Sequence, residues 1–312
     1  MRPALFPLLP FAADETTCSW AARMAAFHAR SSVGTFLRDL NLDPHLMALG
    51  DRDEIGRLCE IAGQDPRPVL GNTLTRLKGS AHALGRDMMR TILCPATRIR
   101  FCPACIALDD AASVATNQNP AVHRRERLIW RFRPVRTCPH HGVDLECRVR
   151  PADNHVMGAF GEIGPGSVHL LTSIDYEGEL RSASSLQRYV AERISGNATD
   201  HWLDTVPLEQ VVRFSELLGA ILLHGPRTFL EDLSEPELCA AGAVGWTNVS
   251  HGEQSITRAL HVVHAQHHFD VGSKARSFRD TFYNLVEEVE YYPSTSPFRA
   301  LLRRHVEHSA LN

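Results

Sequence analysis

"FCPAC" (residues 101–105) and "TCPHHG" (residues 137–142) decide how this chain is read. Together they give the pattern Cys102-x2-Cys105-x32-Cys138-x2-His141. Two donors separated by two residues can bend back onto one ion when Pro and Gly shape the turn between them. One such pair is ambiguous, because Cys102 and Cys105 alone could be a redox dithiol. A second pair favours a tetrahedral structural metal site, and the expected ion is one Zn2+. Four protein donors leave no place for water, so the site is expected to hold structure and not to hydrolyse. His140 competes with His141, and the two-residue spacing favours His141. The redox reading needs a thioredoxin-like βαβ setting, which the sequence does not show.

The remaining cysteines fit blander roles. Cys18, Cys59 and Cys239 lie in apolar helical segments and read as small buried hydrophobes. Cys94 has Thr97 in its partner's place, and Cys147 has only His155 nearby. Both are left outside the metal site.

Around the knuckles the composition is Arg-rich. Residues 90 to 150 hold eleven arginines against five acidic residues, although the whole chain has a formal charge of only -3. Any attraction for phosphate must therefore be local. The run "HRRERLIWRFRPVR" (123–136) is the candidate contact, through Arg124, Arg125, Arg127, Arg131, Arg133 and Arg136. The same run also reads as a strand with Leu128, Trp130 and Phe132 turned inward and arginines on the solvent face.

Outside this module, the first ninety residues read as short helices. Trp20, Met24 and Phe27 form one stripe; Phe36, Leu37 and Leu40 form another. Ile55, Leu58, Cys59 and Ala62, then "GQDPRP", then Val69, Leu70, Leu74 and Leu77 give a helix-turn-helix outline. Such hairpins recognise DNA in some proteins and are plain packing in others. Residues 151–173 are Gly-rich, and helical periodicity returns through "SSLQRYVAERI", "LEQVVRFSELLGAILL", "SITRALHVVHAQHHF", "SFRDTFYNLVEEV" and "PFRALLRRHVEH". The expected fold is mainly α. It comprises a helical region with the helix-turn-helix (1–89), a small zinc ribbon (90–150) and an α-helical C-terminal domain (151–312).

Further signals carry less. His261, His264, His267 and His268 share a helix face with Leu260 and Val263, which favours packing over a second metal. "GPGSVHL" lacks the Gly-Lys-Ser/Thr ending of a phosphate loop. Acidic residues at 231–237 and 287–290 read as solvated helix faces, with a docking patch for a basic partner as the alternative. The opening "MRPALFPLLPFAADE" is a poor signal peptide and no apolar run is long enough to span a bilayer, so a cytoplasmic protein is expected.

"LFPLLPFAADETTCSWAARMA", "LCEIAGQDPRPVLGNTL", "RFCPACIALD" and "LIWRFRPVRTCPHHGVDL" occur in that order. In this the chain resembles the TniQ family of bacterial transposon accessory proteins. The resemblance implies a non-enzymatic adaptor with zinc at Cys102, Cys105, Cys138 and His141, and helix-turn-helix elements. It also implies contact with target DNA or a CRISPR effector complex, recruitment of an AAA+ ATPase, and in some members a homodimer. Many relatives carry another Cys pair after the second knuckle; here only Cys147 stands there. The competing readings are a zinc-stabilised DNA-binding transcription regulator and a metal-dependent nuclease, the latter requiring an open site.

Overall fold

Local capping chemistry sets the first helices. The computed structural model describes residues 5–309 apart from 31, 80, 96, 150–159, 161–181, 197–199 and 268–276. The chain divides into two compact units, Met1–Ala183 and Ser184–Asn312. In the first, α1 (Thr17–Phe27), α2 (Val33–Asp39), α3 (Pro44–Leu49), α4 (Arg52–Ala62) and α5 (Pro66–Gly71) succeed one another. Asp51 caps α4 by accepting from Asp53 N and Glu54 N at 3.1 and 3.0 Å. Asp65 caps α5, and Pro66 at its first position has no N–H that would need an acceptor. Trp20, Met24, Leu37, Met47, Ile55, Leu58 and Val69 fill one apolar core.

The helix-turn-helix outline is therefore present as α4 and α5, but the second helix is short. Leu74 and Leu77, expected on it, lie beyond Gly71. Asn72 turns the chain away, its Nδ2 donating to the carbonyls of Ala13 and Glu15 at 2.7 and 3.0 Å. The backbone continues as a meander instead of a helix: β1 (Thr75–Arg76), β2 (Ala81–Leu84) and β3 (Asp87–Arg90), paired antiparallel in that order. Gly50, at φ 74°, lets the α3–α4 turn approach it; a Cβ there would stand 2.5 Å from the Leu74 carbonyl oxygen.

Next comes β4 (Arg98–Phe101), then α6 (Pro103–Thr116), α7 (Pro120–His123), a single 3-10 turn at Leu128–Arg131 and β5 (Glu146–Val149). β4 and β5 pair antiparallel as a two-stranded ribbon, with Arg100 opposite Cys147. The expected strand over 128–132 is absent. Leu128, Trp130 and Phe132 do turn inward, as its alternation required, but a tight helical turn delivers them. Nor does the chain separate at residue 89. Thr16 N donates to the Glu126 carbonyl at 3.0 Å and Leu128 N to that of Asp14 at 2.7 Å, which stitches α1 to the Arg-rich run.

The second unit is helical: α8 (Ser185–Ile194), α9 (Leu208–His224), α10 (Glu235–Val249), α11 (Glu253–His267), α12 (Phe278–Thr281), α13 (Tyr283–Glu290) and α14 (Pro297–Ser309). Its axis is α9, buried on nearly every side. α10 crosses it at backbone contact. A Cβ on Gly219 would lie 1.7 Å from the Ala241 carbonyl oxygen, and one on Gly245 would lie 1.7 Å from that of Ser215.

This contrast is measurable in denaturant midpoints. Gly219→Ala or Gly245→Ala should destabilise by about 3 kcal/mol or more, since neither backbone can give way. Gly56→Ala sits mid-helix with nothing within 4 Å of the added methyl. It should stabilise by about 0.5–1 kcal/mol through backbone entropy and helix propensity.

Candidate metal centre

Cys102 ends β4 and caps α6, its sulfur accepting from Cys105 N at 3.5 Å. The helix therefore begins on the first knuckle and carries Cys105 in its first turn. The second knuckle is a tight turn: Cys138 N donates to the Val143 carbonyl at 2.8 Å, and Gly142 closes the loop at φ 63°. It delivers Cys138 and His141 to the same point. The four donor atoms lie within 4.8 Å of one another, with the cysteines buried and His141 half-buried.

The spacings fit a tetrahedral ion. With metal–sulfur bonds of about 2.3 Å and metal–nitrogen bonds of about 2.0–2.1 Å, as for zinc, the edges are about 3.8 Å between sulfurs and about 3.6 Å from sulfur to nitrogen. Cys105 Sγ to Cys138 Sγ is 3.7 Å. His141 Nδ1 stands 3.5, 3.3 and 3.6 Å from the sulfurs of Cys102, Cys105 and Cys138. Nδ1 is thus the ring nitrogen that faces the three sulfurs.

Electrostatics points the same way. The Cys138 thiol is held far below its ordinary pKa by hydrogen bonds from Cys102 and Cys105. Cys105 is pushed far up by its hydrogen bonds with Cys102 and Cys138 and by burial. Three buried sulfurs cannot all ionise here without a cation, and a metal ion supplies one. Among the described residues no other group of His, Cys, Asp and Glu could hold an ion. Cys147 is exposed on β5, while His155, His268 and "GPGSVHL" lie outside the described residues. His261 packs against His305 with tilted rings 5.3 Å apart, and His264 packs edge-on against Phe278 at 5.5 Å.

The arginine strip is where the expectation needs correcting. Arg124 is buried in a two-pronged pair with Asp110, Nε to Oδ1 at 2.6 Å and Nη2 to Oδ2 at 2.9 Å. Arg127 makes the same fork with Asp109, Nη1 to Oδ2 at 2.8 Å and Nη2 to Oδ1 at 3.1 Å. Its guanidinium also covers the Trp130 ring at 4.8 Å. Arg131 reaches Glu126 at 3.2 Å. These three are structural cations turned inward, because desolvated guanidinium groups need carboxylate partners. Arg125, partly exposed, lies near Asp14 and Asp109 at 3.5 and 3.8 Å. Arg133 and Arg136 are half-buried with partners in the fold.

Sequence reasoning missed the acidic half of this network. Asp109 and Asp110 lie on α6 just past the knuckle; Glu15 is fully buried and accepts from Arg23 Nη1 at 2.5 Å and from Ser19 Oγ at 2.9 Å. Burial raises the Glu15 pKa against the opposing pull of Arg23. The adjacent Asp pair between Ile106 and Ala111 was the available signal, since carboxylates in an apolar helical stretch call for buried cations.

Fold and site together define a module organised around a buried Cys3His cluster that could hold one metal ion. The TniQ family model matches residues 7–145, so this segment carries a TniQ domain, which supports a transposition-associated protein. No curated protein and no solved structure matches the chain. No described helix is long and apolar enough to cross a membrane.

Protein purified without chelator should carry one metal equivalent by elemental analysis, and Cys102→Ser or Cys138→Ser should lose most of it. Asp110→Ala, which strands Arg124 without its partner, should cost about 3–5 kcal/mol in chemical unfolding. A change near zero would place Arg124 at the surface.

Proposed function

We propose that this chain is a non-catalytic adaptor of DNA transposition. It holds a chosen target, either DNA or a CRISPR effector complex, and recruits an AAA+ ATPase that engages the transposase. The observation that carries this reading is the TniQ domain over residues 7–145. The Cys3His cluster supports it: with Zn2+ bound by four protein donors, no coordination position is left for water or substrate, so the ion acts as a fastener. Zinc is the assigned ion because thiolate and imidazole donors in tetrahedral array suit it.

In this reading the work of the molecule is presentation of surfaces. Zinc fixes α6 against the second knuckle, and the fixed module holds α1 to α5 and the β-meander for partners. A homodimer is compatible with the role and would present each surface twice.

The test is co-expression of the tagged chain with the ATPase and effector encoded by the same transposon, followed by pull-down and a transposition assay. The ATPase should co-purify, and Cys138→Ser should abolish both recovery and transposition. Recovery of an RNA-guided effector, or of one DNA sequence, then identifies the targeting mode. An intact transposition rate in a deletion strain would contradict the proposal.

A further inference from the structure

The β-meander carries cations that the Arg-rich strip does not expose. Arg76, Lys78, Arg86 and Arg90 are exposed, and the only carboxylate between residues 75 and 90 is Asp87, buried on the inner side. Register fixes where they stand. Arg76 pairs with His82 and Leu84 with Asp87, so Lys78 occupies the turn between β1 and β2, and Arg86 the two-residue turn between β2 and β3. These turns lie at opposite ends of β2, Gly79 and Gly85 closing them at φ 76° and 56°.

A four-residue strand spans about 13 Å. The major groove of duplex DNA is about 12 Å wide, with a row of phosphates on each side. Between the two cationic ends, the outer face presents Ala81, Ala83 and the exposed side chain of Met88, small or apolar groups that let a backbone approach closely. Across from the exposed Arg76 on edge strand β1, and on the same face as it, the buried Nδ1 of His82 has no hydrogen-bond partner. Burial, with the charges of Arg131 and Arg76, lowers the His82 pKa, which marks this end of the sheet as electropositive. An acidic protein would not require cations at both ends of so short a ribbon; two phosphate rows do.

We propose that the meander is a duplex-DNA contact, with Arg76 and Lys78 on one phosphate row and Arg86 on the other. The inference rests on the targeting role proposed above and names the surface that meets DNA. It places the contact on a hairpin directly after α4 and α5, not on the 124–136 strip.

The test uses the full chain, a labelled 40-base-pair duplex and fluorescence anisotropy over a salt series. The triple variant Arg76→Glu, Lys78→Glu, Arg86→Glu should weaken binding about tenfold or more, and should flatten the slope of log affinity against log salt by about 2.7, the loss of three phosphate contacts. The variant Arg227→Glu, Arg258→Glu, with exposed cations of the second unit, should bind as wild type. If the glutamate variant is misfolded by circular dichroism, the glutamine triple variant replaces it, with the same expected direction. DNA binding equal to wild type in a folded variant overturns the inference and leaves the adaptor role standing. So does competition by polyglutamate as effective as that by DNA, which would make the surface an acidic-protein dock. No binding of wild type to duplex also overturns it, while ATPase co-purification judges the adaptor role separately.

Discussion

Three buried thiols and one imidazole converge from two turns 33 residues apart, and the first unit is arranged around that convergence. Sulfurs this close repel when ionised and gain little from one another when neutral, so the arrangement is one that a cation would stabilise by offsetting their charge. Its first consequence is the start of α6. With Cys102 as cap and Cys105 in the first turn, the helix leaves the site along a fixed line. Asp109 and Asp110 sit about one turn beyond Cys105, and their forks to Arg127 and Arg124 fix the run that pairs with Glu15 and Thr16 at the head of α1. The constraint thus travels from sulfur to helix, from helix to carboxylates, and from carboxylates to the amino-terminal helices.

The network changes the meaning of the local positive charge. An excess of arginine is a sound sign of phosphate affinity only while the guanidinium groups face water. Here the fork geometry of Arg124 and Arg127, the packing of Arg127 on Trp130 and the burial of Arg131 consume those charges inside the fold. Such pairs contribute little net stability over apolar packing but penalise the loss of either partner heavily. Their effect is to specify one arrangement. The meander adds exposed cations of its own at Arg76, Lys78 and Arg86.

How much of this could be read in the sequence depended on how local the physics was. Ligand spacing is local, so Cys102, Cys105, Cys138 and His141 were legible from residue order alone. The helices of the second unit were also legible, since Leu208–His224 and Pro297–Ser309 carry their periodicity openly. The 128–132 run was half legible: alternate burial was right, but one 3-10 turn and a strand expose similar patterns over five residues. The meander was missed because "AHALGRDMMR" has short, weakly alternating apolar content, and its Gly-Arg turn is not a strong hairpin signal. The carboxylate partners of the arginines, and the contact of Gly219 with α10, depend on chain segments distant in sequence, which periodicity does not reveal.

One ion holding both knuckles is the feature on which the first unit stands or falls. X-ray absorption at the zinc edge on the full chain, purified without chelator, tests this most directly. Three sulfur neighbours at about 2.3 Å and one nitrogen at about 2.0–2.1 Å are expected. A shell of oxygen and nitrogen donors alone, or a zinc-free protein that retains its fold, would contradict it.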